Sequence, residues 1–250
     1  MRLKPLAAAA VLALSLAAPL HAQTAATPAS VATHYAALVH ANYEDTLNAA
    51  KALQAAVKAF TAAPSQPTQD AARKAWLAAR EFYGQTEAFR FYGGPIDNDN
   101  GPEGRLNAWP MDESYVDYVD GKKTAGLVNN KKQALTKKAL AALNEKGGEE
   151  NIATGWHAIE FMLWGQDLSE TGPGNRSFED FVDGKTPNAD RRRQYLNVVT
   201  ELLVDDLSGL VKAWAPGAKN NYRARFEKGG NESLRKMFVS MGSLSRGDLA

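Results

Sequence analysis

The sequence predicts an all-α protein, an up-and-down helical bundle with one long irregular segment between two of its helices. Apolar residues recur at three- and four-residue steps in several long segments, which is the period of an amphipathic helix. No segment shows the apolar/polar alternation of a strand, and no internal repeat is present. With 250 residues and 44% hydrophobic content, the chain can bury a substantial core.

The N-terminus predicts an export signal over residues 1–22. Arg2 and Lys4 supply the charged region, residues 6–20 are apolar, and Ala22 ends a small-residue cleavage site. An uncleaved membrane anchor is the alternative, but the apolar stretch is shorter than the roughly 20 residues that span a bilayer. We therefore expect a protein of the periplasm or cell envelope. Residues 23–30 are polar and without periodicity, and are expected to form a disordered tether.

Charge and cysteine content exclude some classes of function. Without Arg2 and Lys4 the chain has 27 basic and 28 acidic residues, and no basic stripe is interleaved with aromatic residues. The sequence therefore predicts no nucleic-acid partner. Cysteine is absent, so stability must come from packing, and cysteine cannot serve as a nucleophile.

The predicted helices can be placed in order along the chain. The periodicity predicts helices over residues 31–60, 68–92, 133–143, 155–167, 188–214 and 233–241. Thr68 is the expected N-cap of the second helix. His34 and His40 in the first helix are six residues apart and do not share a face, so surface or hydrogen-bonded roles are favoured over metal binding.

Residues 93–124 form the irregular segment, which is rich in Gly, Pro, Asn and Asp. A loop of this length in a compact domain is typically functional or disordered, and its aromatic residues favour a packed, functional loop. The run from Asp97 to Gly101 is similar to the start of a calcium loop. Its glycine comes one position early and the closing glutamate is missing, so a polar turn is the favoured interpretation.

The most informative stretch is residues 155–167. His157 and Glu160 are one helical turn apart, with Cβ atoms roughly 5–6 Å from each other, so both side chains can reach one point. The apolar neighbours nearly encircle the helix, which predicts a buried element whose charged groups need a partner. The pair is open to three interpretations: metal ligands, a base with its orienting partner, or a hydrogen-bonded core pair. A zinc-peptidase motif would need a second histidine where Phe161 stands.

Glu87 and Arg90 form a second charged pair, one turn apart near the end of the second helix. A surface ion pair worth at most about 1 kcal/mol is one interpretation. A functional carboxylate is the other.

Four blocks of sequence together resemble the imelysin family. These are Gly155-x-His157-x-x-Glu160 with residues 163–167, then residues 85–91, 94–97 and 107–110. The family includes iron-regulated envelope proteins, proteins described as insulin-cleaving membrane peptidases, and the periplasmic component of a ferrous-iron uptake system. The resemblance covers residues 31–250, which we take as one imelysin-like helical domain.

The resemblance implies a fold of two bundle-like halves with the Gly-x-His-x-x-Glu motif facing the cleft between them. Members are usually longer, so this domain is expected to be truncated at its C-terminus. His157 and Glu160 become the motif pair, and Glu87 becomes the carboxylate opposite it. The resemblance makes Arg90, Asp117 and Asp167 orienting groups around the ligands.

The leading hypothesis is an exported envelope protein that binds a divalent metal, iron before zinc, for uptake or handling, with an envelope iron-transport component as a candidate partner. A metallopeptidase using His157 and Glu160 is the competing hypothesis. In a third, no metal binds, and Trp109, Trp156 and Trp164 line a pocket for another ligand.

Overall fold

The computed structural model describes residues 26–248, and its fold within that range is all-α. The predicted signal peptide and residues 23–25 lie outside the described residues. The one β-type contact in the described range is an isolated bridge between Val119 and Lys122. The helices are α1 (Pro28–Ala62), α2 (Gln66–Thr86), α3 (Glu103–Asn107), α4 (Glu113–Val116), α5 (Gly126–Asn129), α6 (Lys137–Leu143), α7 (Gly155–Trp164), α8 (Ala189–Trp214), α9 (Tyr222–Phe226) and α10 (Asn231–Ser243).

Four helices form the bundle around the core. Helix α1 packs against α2 and α8, and α7 packs against both α2 and α8. Their facing sides supply fully buried residues that include Val39, Leu53, Ala79, Met162 and Leu203. Burial of a leucine-sized side chain contributes about 1.5–3 kcal/mol, so this shared core holds the bundle together. The predicted bundle is confirmed.

The first two helices begin with capping boxes, and the predicted starts of both helices were wrong. Helix α1 begins at Pro28 rather than at residue 31, because Thr27 and Ser30 satisfy each other's backbone N–H groups. Helix α2 is capped by Ser65, not by Thr68, which is the third residue of the helix and completes the box. Proline in the first turn suits both helices, since those positions need no backbone hydrogen bond.

Helix α2 ends at Thr86, earlier than the predicted residue 92. A 3₁₀ turn, Glu87–Phe89, follows, and Phe91 takes a positive φ of 72° that stops helical continuation. Asp97 then accepts hydrogen bonds from the backbone N–H groups of Tyr92 and Gly94. The Asp97 carboxylate therefore caps a polar turn, in agreement with the interpretation favoured for residues 97–101.

The segment between α2 and α7 is the long insertion expected from the sequence, but it is less irregular than predicted. Helices α3 and α4 lie within residues 93–124, and α6 begins at Lys137, four residues after its predicted start, with Thr136 as N-cap. After α8, helix α10 packs on α1 and on the 3₁₀ turn Glu87–Phe89, where the Ser240 hydroxyl donates to the Ala88 carbonyl. Within residues 26–248, no helix is both long and apolar enough to cross a membrane.

Candidate functional site

Helix α7 carries the predicted site pair on the one side that is not packed into the core. Trp156, Ile159 and Met162 have no exposed surface, as their encircling pattern predicts. The His157 side chain is 18% exposed and that of Glu160 is 43% exposed. The helix is therefore a core element that presents a histidine and a glutamate at its outer edge.

Two glycines at the ends of α7 allow neighbouring parts of the chain to approach its backbone closely, and this fixes the position of the helix. Gly155 has φ 88°, and a Cβ there would lie 2.5 Å from the carbonyl oxygen of Leu106 in α3. Gly165 has φ 73°, and its Cβ would lie 3.0 Å from the Cβ of Arg176. Both backbone conformations are ones that only glycine adopts without strain.

The C-terminus of α7 is held by side chains from α2. The Leu163 carbonyl accepts hydrogen bonds from Gln69 Nε2 at 3.2 Å and from Arg73 Nη2 at 2.9 Å. A cation at a helix C-terminus is stabilised by the helix dipole. Burial lowers the pKa of Arg73, with Asp70 acting in the opposite direction.

His157 and Glu160 are brought together as predicted. His157 Nδ1 lies 3.2 Å from Glu160 Oε2, and the ring of Trp109 lies over the imidazole with centroids 4.8 Å apart. The contact with Glu160 uses Nδ1 and leaves Nε2 for a further bond.

The pair opens onto a cleft of about 340 Å³. Besides His157, its chemically active lining consists of the three carboxylates of Glu113, Glu160 and Asp167. No lysine or arginine is found among the described residues that line it. The walls are mainly apolar and include Trp76, Leu77, Trp109, Met111, Phe161 and Trp164. The cleft is thus an acidic site with low-polarity walls, which favours a cation.

Glu113 belongs to the site although sequence reasoning did not single it out. Burial raises the pKa of its carboxyl group, and the carboxylates of Asp167 and Asp112 add to the rise, while Arg176 opposes it. Neighbouring carboxylates disfavour one another's ionisation, and a cation that binds between them removes this repulsion. In the sequence, Glu113 stands out only by its closeness to Trp109-Pro110, and that part of the chain has no helical or strand periodicity.

Glu87, predicted to lie opposite the motif, does not line this cleft. Its Oε2 lies 2.6 Å from Arg90 Nε, and its Oε1 accepts from Asn107 Nδ2 at 3.1 Å. Arg90 also bonds Glu103 at 2.7 Å. Glu87 and Arg90 therefore form an ion pair, but a mostly buried one rather than a surface pair, since their side chains are 18% and 16% exposed. Throughout residues 26–248, no three histidine, aspartate or glutamate side chains are already close enough to hold one metal ion.

The other predicted residues divide between this cleft and its surroundings. Trp109, Trp164 and Asp167 line the cleft, whereas Trp156 is fully buried beneath it. Asp117 is also fully buried and accepts hydrogen bonds from Arg176 at 2.6 Å and from Arg192 at 2.7 Å. Burial disfavours the charged form of Asp117, but the two guanidinium groups prevail and lower its pKa.

Comparison with known proteins settles the family. The family model described as imelysin matches residues 39–250, which is most of the chain. The chain belongs to the imelysin family. The resemblance drawn from the Gly-x-His-x-x-Glu segment is thereby confirmed.

Two relatives place the chain within the family. Iron-regulated protein A of Synechococcus elongatus is 29% identical over 173 residues, which cover 69% of this chain and 36% of that protein. The crystal structure of an iron-regulated protein A precursor from Parabacteroides distasonis matches 90% of this chain and 58% of its own, with a TM-score of 0.61 and 22% identity. The structural match supports the fold. This chain spans little more than a third of the curated relative and somewhat over half of the solved one.

Proposed function

We propose that this protein binds a divalent metal ion, iron in the first place, in the cleft beside α7, and that it handles iron in the cell envelope. The observation that carries the proposal is the composition of the cleft lining, which combines one imidazole with three carboxylates and no basic side chain other than His157. Imidazole and carboxylate are ligands that suit iron and zinc, and such sets discriminate weakly between them. The names of the two relatives, both iron-regulated proteins, are the reason for placing iron first.

His157 and Glu160 would supply the first two ligands, because both line the cleft one helical turn apart, and bonds to the ion would replace their present contact. The third is proposed to come from Asp167 or Glu113 rather than from Glu87, since the first two line the cleft and Glu87 is paired with Arg90. A small inward movement of these carboxylates would gather the ligand set. The cost of bringing like charges together is offset by the cation.

Metal titration of the protein from residue 23 onward tests this proposal. Fe²⁺ under anaerobic conditions, and Zn²⁺ separately, are titrated by calorimetry into the wild type, His157→Ala and Glu160→Ala. Loss of a ligand should weaken binding by more than about tenfold, which corresponds to about 1.4 kcal/mol. Unchanged affinity for both metals in both variants would overturn the proposal.

The chain offers a matched control for these variants. His40 and Glu44 form another histidine–glutamate pair, with Nδ1 and Oε2 3.1 Å apart on the surface of α1. That pair does not line the cleft in which metal binding is proposed. His40→Ala should therefore leave the affinity unchanged while making the same chemical substitution.

A metallopeptidase using His157 and Glu160 is the alternative function, and the same experiment can be extended to test it. A catalytic zinc is typically held by three protein residues with one position open to water. If the titration shows a zinc site, incubation of the zinc-loaded protein with an unstructured protein such as casein tests for cleavage. Cleavage that is lost in His157→Ala would favour the peptidase over storage or transfer of the metal.

Export to the envelope and delivery to an iron-transport component complete the proposal. The signal-like residues 1–22 support export. Fractionation of cells that produce the full chain, with detection by an antibody, tests the location. A protein found with cytoplasmic markers would contradict it.

A further inference from the structure

A second cavity, larger than the metal cleft, lies on the other side of Trp164 and Gly165. It has a volume of about 590 Å³ and is bounded by the segment after α4, the segment after α7 and the chain leading into α8. Small-molecule sites in proteins typically occupy about 300–1,000 Å³. We infer that this cavity binds a small carboxylic acid with an apolar body, and that the acid group pairs with Arg176.

Arg176 is one of two buried arginines on this cavity's lining, with Arg192, and only part of its hydrogen-bonding capacity is used. Its side chain is 2% exposed, and its guanidinium lies between the rings of Tyr118 and Phe161, 5.0 Å from each centroid. Its bonds to the carboxylates of Asp117, at 2.6 Å, and Asp180, at 3.5 Å, both start from Nη1. Within residues 26–248, its Nε has no acceptor and no hydrogen bond from its Nη2 is formed.

The unused edge has the geometry of a carboxylate receptor. Nε and Nη2 form one side of the planar guanidinium, and two parallel N–H donors on that side match the two oxygens of a carboxylate. A buried donor without an acceptor destabilises the folded protein, so a group that satisfies it gains that stabilisation on binding. Gly165 lines the cavity and places no side chain beside Nε, where a Cβ would lie at 3.4 Å.

Asp117 cannot serve as the acceptor for this edge of Arg176, because the Asp117 carboxylate already accepts hydrogen bonds from Arg192. Arg192 donates from Nε at 2.7 Å and from Nη2 at 3.2 Å to the two oxygens of Asp117. The carboxylates of Asp117 and Asp180 balance the charges of the two arginines, so the cluster holds its shape without a ligand. Lys123 lines the same cavity and supplies a further positive charge for an incoming anion, although Asp120 lies beside it.

The other walls of the cavity determine what kind of body the acid should carry. Val119, Trp164, Leu168 and Pro187 present apolar surface, and Leu168 is 73% exposed although it is a leucine. A ligand with an apolar body would cover this surface, and removing that surface from water would stabilise the complex. The cavity therefore fits an aromatic or branched aliphatic acid better than a sugar or a free inorganic anion.

Calorimetric titration with 2-naphthoate tests the inference, with the neutral 2-naphthalenemethanol as a matched ligand. The acid should bind the wild type at one molecule per chain and at least tenfold more tightly than the alcohol. Arg176→Lys keeps the charge but removes the planar fork and should weaken acid binding at least tenfold. Leu168→Glu places a negative charge at the mouth and should weaken it at least fivefold.

Two further variants keep the test decisive. Leu38→Glu makes the same exchange at an exposed leucine on α1 that does not line the cavity, and should leave acid binding unchanged. His157→Ala should also bind the acid normally, which separates this cavity from the metal cleft. If Arg176→Lys fails to fold, Leu168→Glu still decides the question. Equal affinity for acid and alcohol, absence of acid binding, or full binding by Leu168→Glu would overturn the inference.

Discussion

The ring of Trp109 lies over the imidazole of His157, with the ring planes tilted by 49° and the centroids 4.8 Å apart. The indole itself is 66% exposed, so one face covers the histidine and the other faces solvent. An aromatic contact of this kind contributes about 0.5–1.5 kcal/mol beyond area burial. Trp109 therefore restricts the imidazole to the orientation in which it meets Glu160.

This contact would make Trp109 a reporter for the metal proposed to bind in the cleft. Iron bound by His157 would lie close to the indole and quench its emission, so adding Fe²⁺ anaerobically should lower the tryptophan fluorescence of the wild type. Trp109→Phe keeps an aromatic ring on His157, and should retain most of the affinity while losing the part of the quenching that Trp76 and Trp164, also in the cleft wall, do not supply. Equal quenching in wild type and Trp109→Phe would show that iron binds elsewhere.

Gly155→Ala should destabilise the protein by about 3 kcal/mol, because a Cβ adds strain at a positive φ and meets a backbone carbonyl. That carbonyl, of Leu106, belongs to α3 and cannot swing aside as a side chain could. Urea denaturation followed by circular dichroism measures the change in the free energy of unfolding.

Gly84 provides the control for this substitution. It lies inside α2, and a Cβ there would meet no atom within 4 Å. Gly84→Ala should stabilise the protein by about 0.5–1 kcal/mol, since alanine is the better helix residue. If both variants have the same stability as the wild type, Gly155 is not a close-approach position.

The sequence was sufficient to predict the features that depend on local pattern. The helical period gave α1, α2, α7 and α8, because each buries one face in a shared core. Gly155 and Gly165 border a helix that is apolar apart from His157 and Glu160, and close approach of backbone is a usual reason for glycine beside such a helix. His157 and Glu160 were predicted as a pair because helical spacing alone brings them together.

Features that depend on chain reversal were not predictable in the same way. Helical spacing extended α2 through Glu87, but the turn formed by Asp97 and the positive φ of Phe91 redirect the chain at that point. Glu113 reaches the cleft from the first position of the four-residue helix α4, and a helix this short has no periodic pattern from which a neighbour could be inferred. The cap at Ser65 was missed because Thr68 has the same chemistry and takes part in the same capping box.

Glu113→Gln should stabilise the apo protein at pH 7 by less than about 1 kcal/mol, since the group is partly screened by solvent. The raised pKa of Glu113 means that the folded state holds its proton more tightly than the unfolded state. Stability therefore falls as the pH rises from the ordinary glutamate pKa through the raised one, and this penalty persists above it.

The glutamine variant removes that penalty, so its advantage should shrink as the pH is lowered to 4. Urea denaturation at pH 7 and pH 4 gives both values. Glu149→Gln, at an exposed position outside the cleft, should change stability by less than about 0.5 kcal/mol at either pH. A Glu113→Gln advantage that grows on acidification would contradict the assignment. The same variant should bind Fe²⁺ more weakly if Glu113 contributes to the metal site.

Asp117→Asn should destabilise the protein by about 3–5 kcal/mol, because it leaves two buried guanidinium groups without their shared carboxylate. The comparison is Asp205→Asn, which breaks an ion pair of the same 2.6 Å length with Lys137 on the exposed surface. Exposed pairs contribute about 0–1 kcal/mol, so distance alone does not set the strength of these contacts.

The lowered pKa of Asp117 adds a pH dependence to the stability. The contribution of Asp117 is complete above the ordinary aspartate pKa and is lost as the pH falls through the lowered one. Urea denaturation at pH 7 should therefore separate the two variants by at least about 2 kcal/mol. Equal losses would mean that the buried cluster contributes no more than a surface pair, and that Arg176 does not depend on Asp117 for its position.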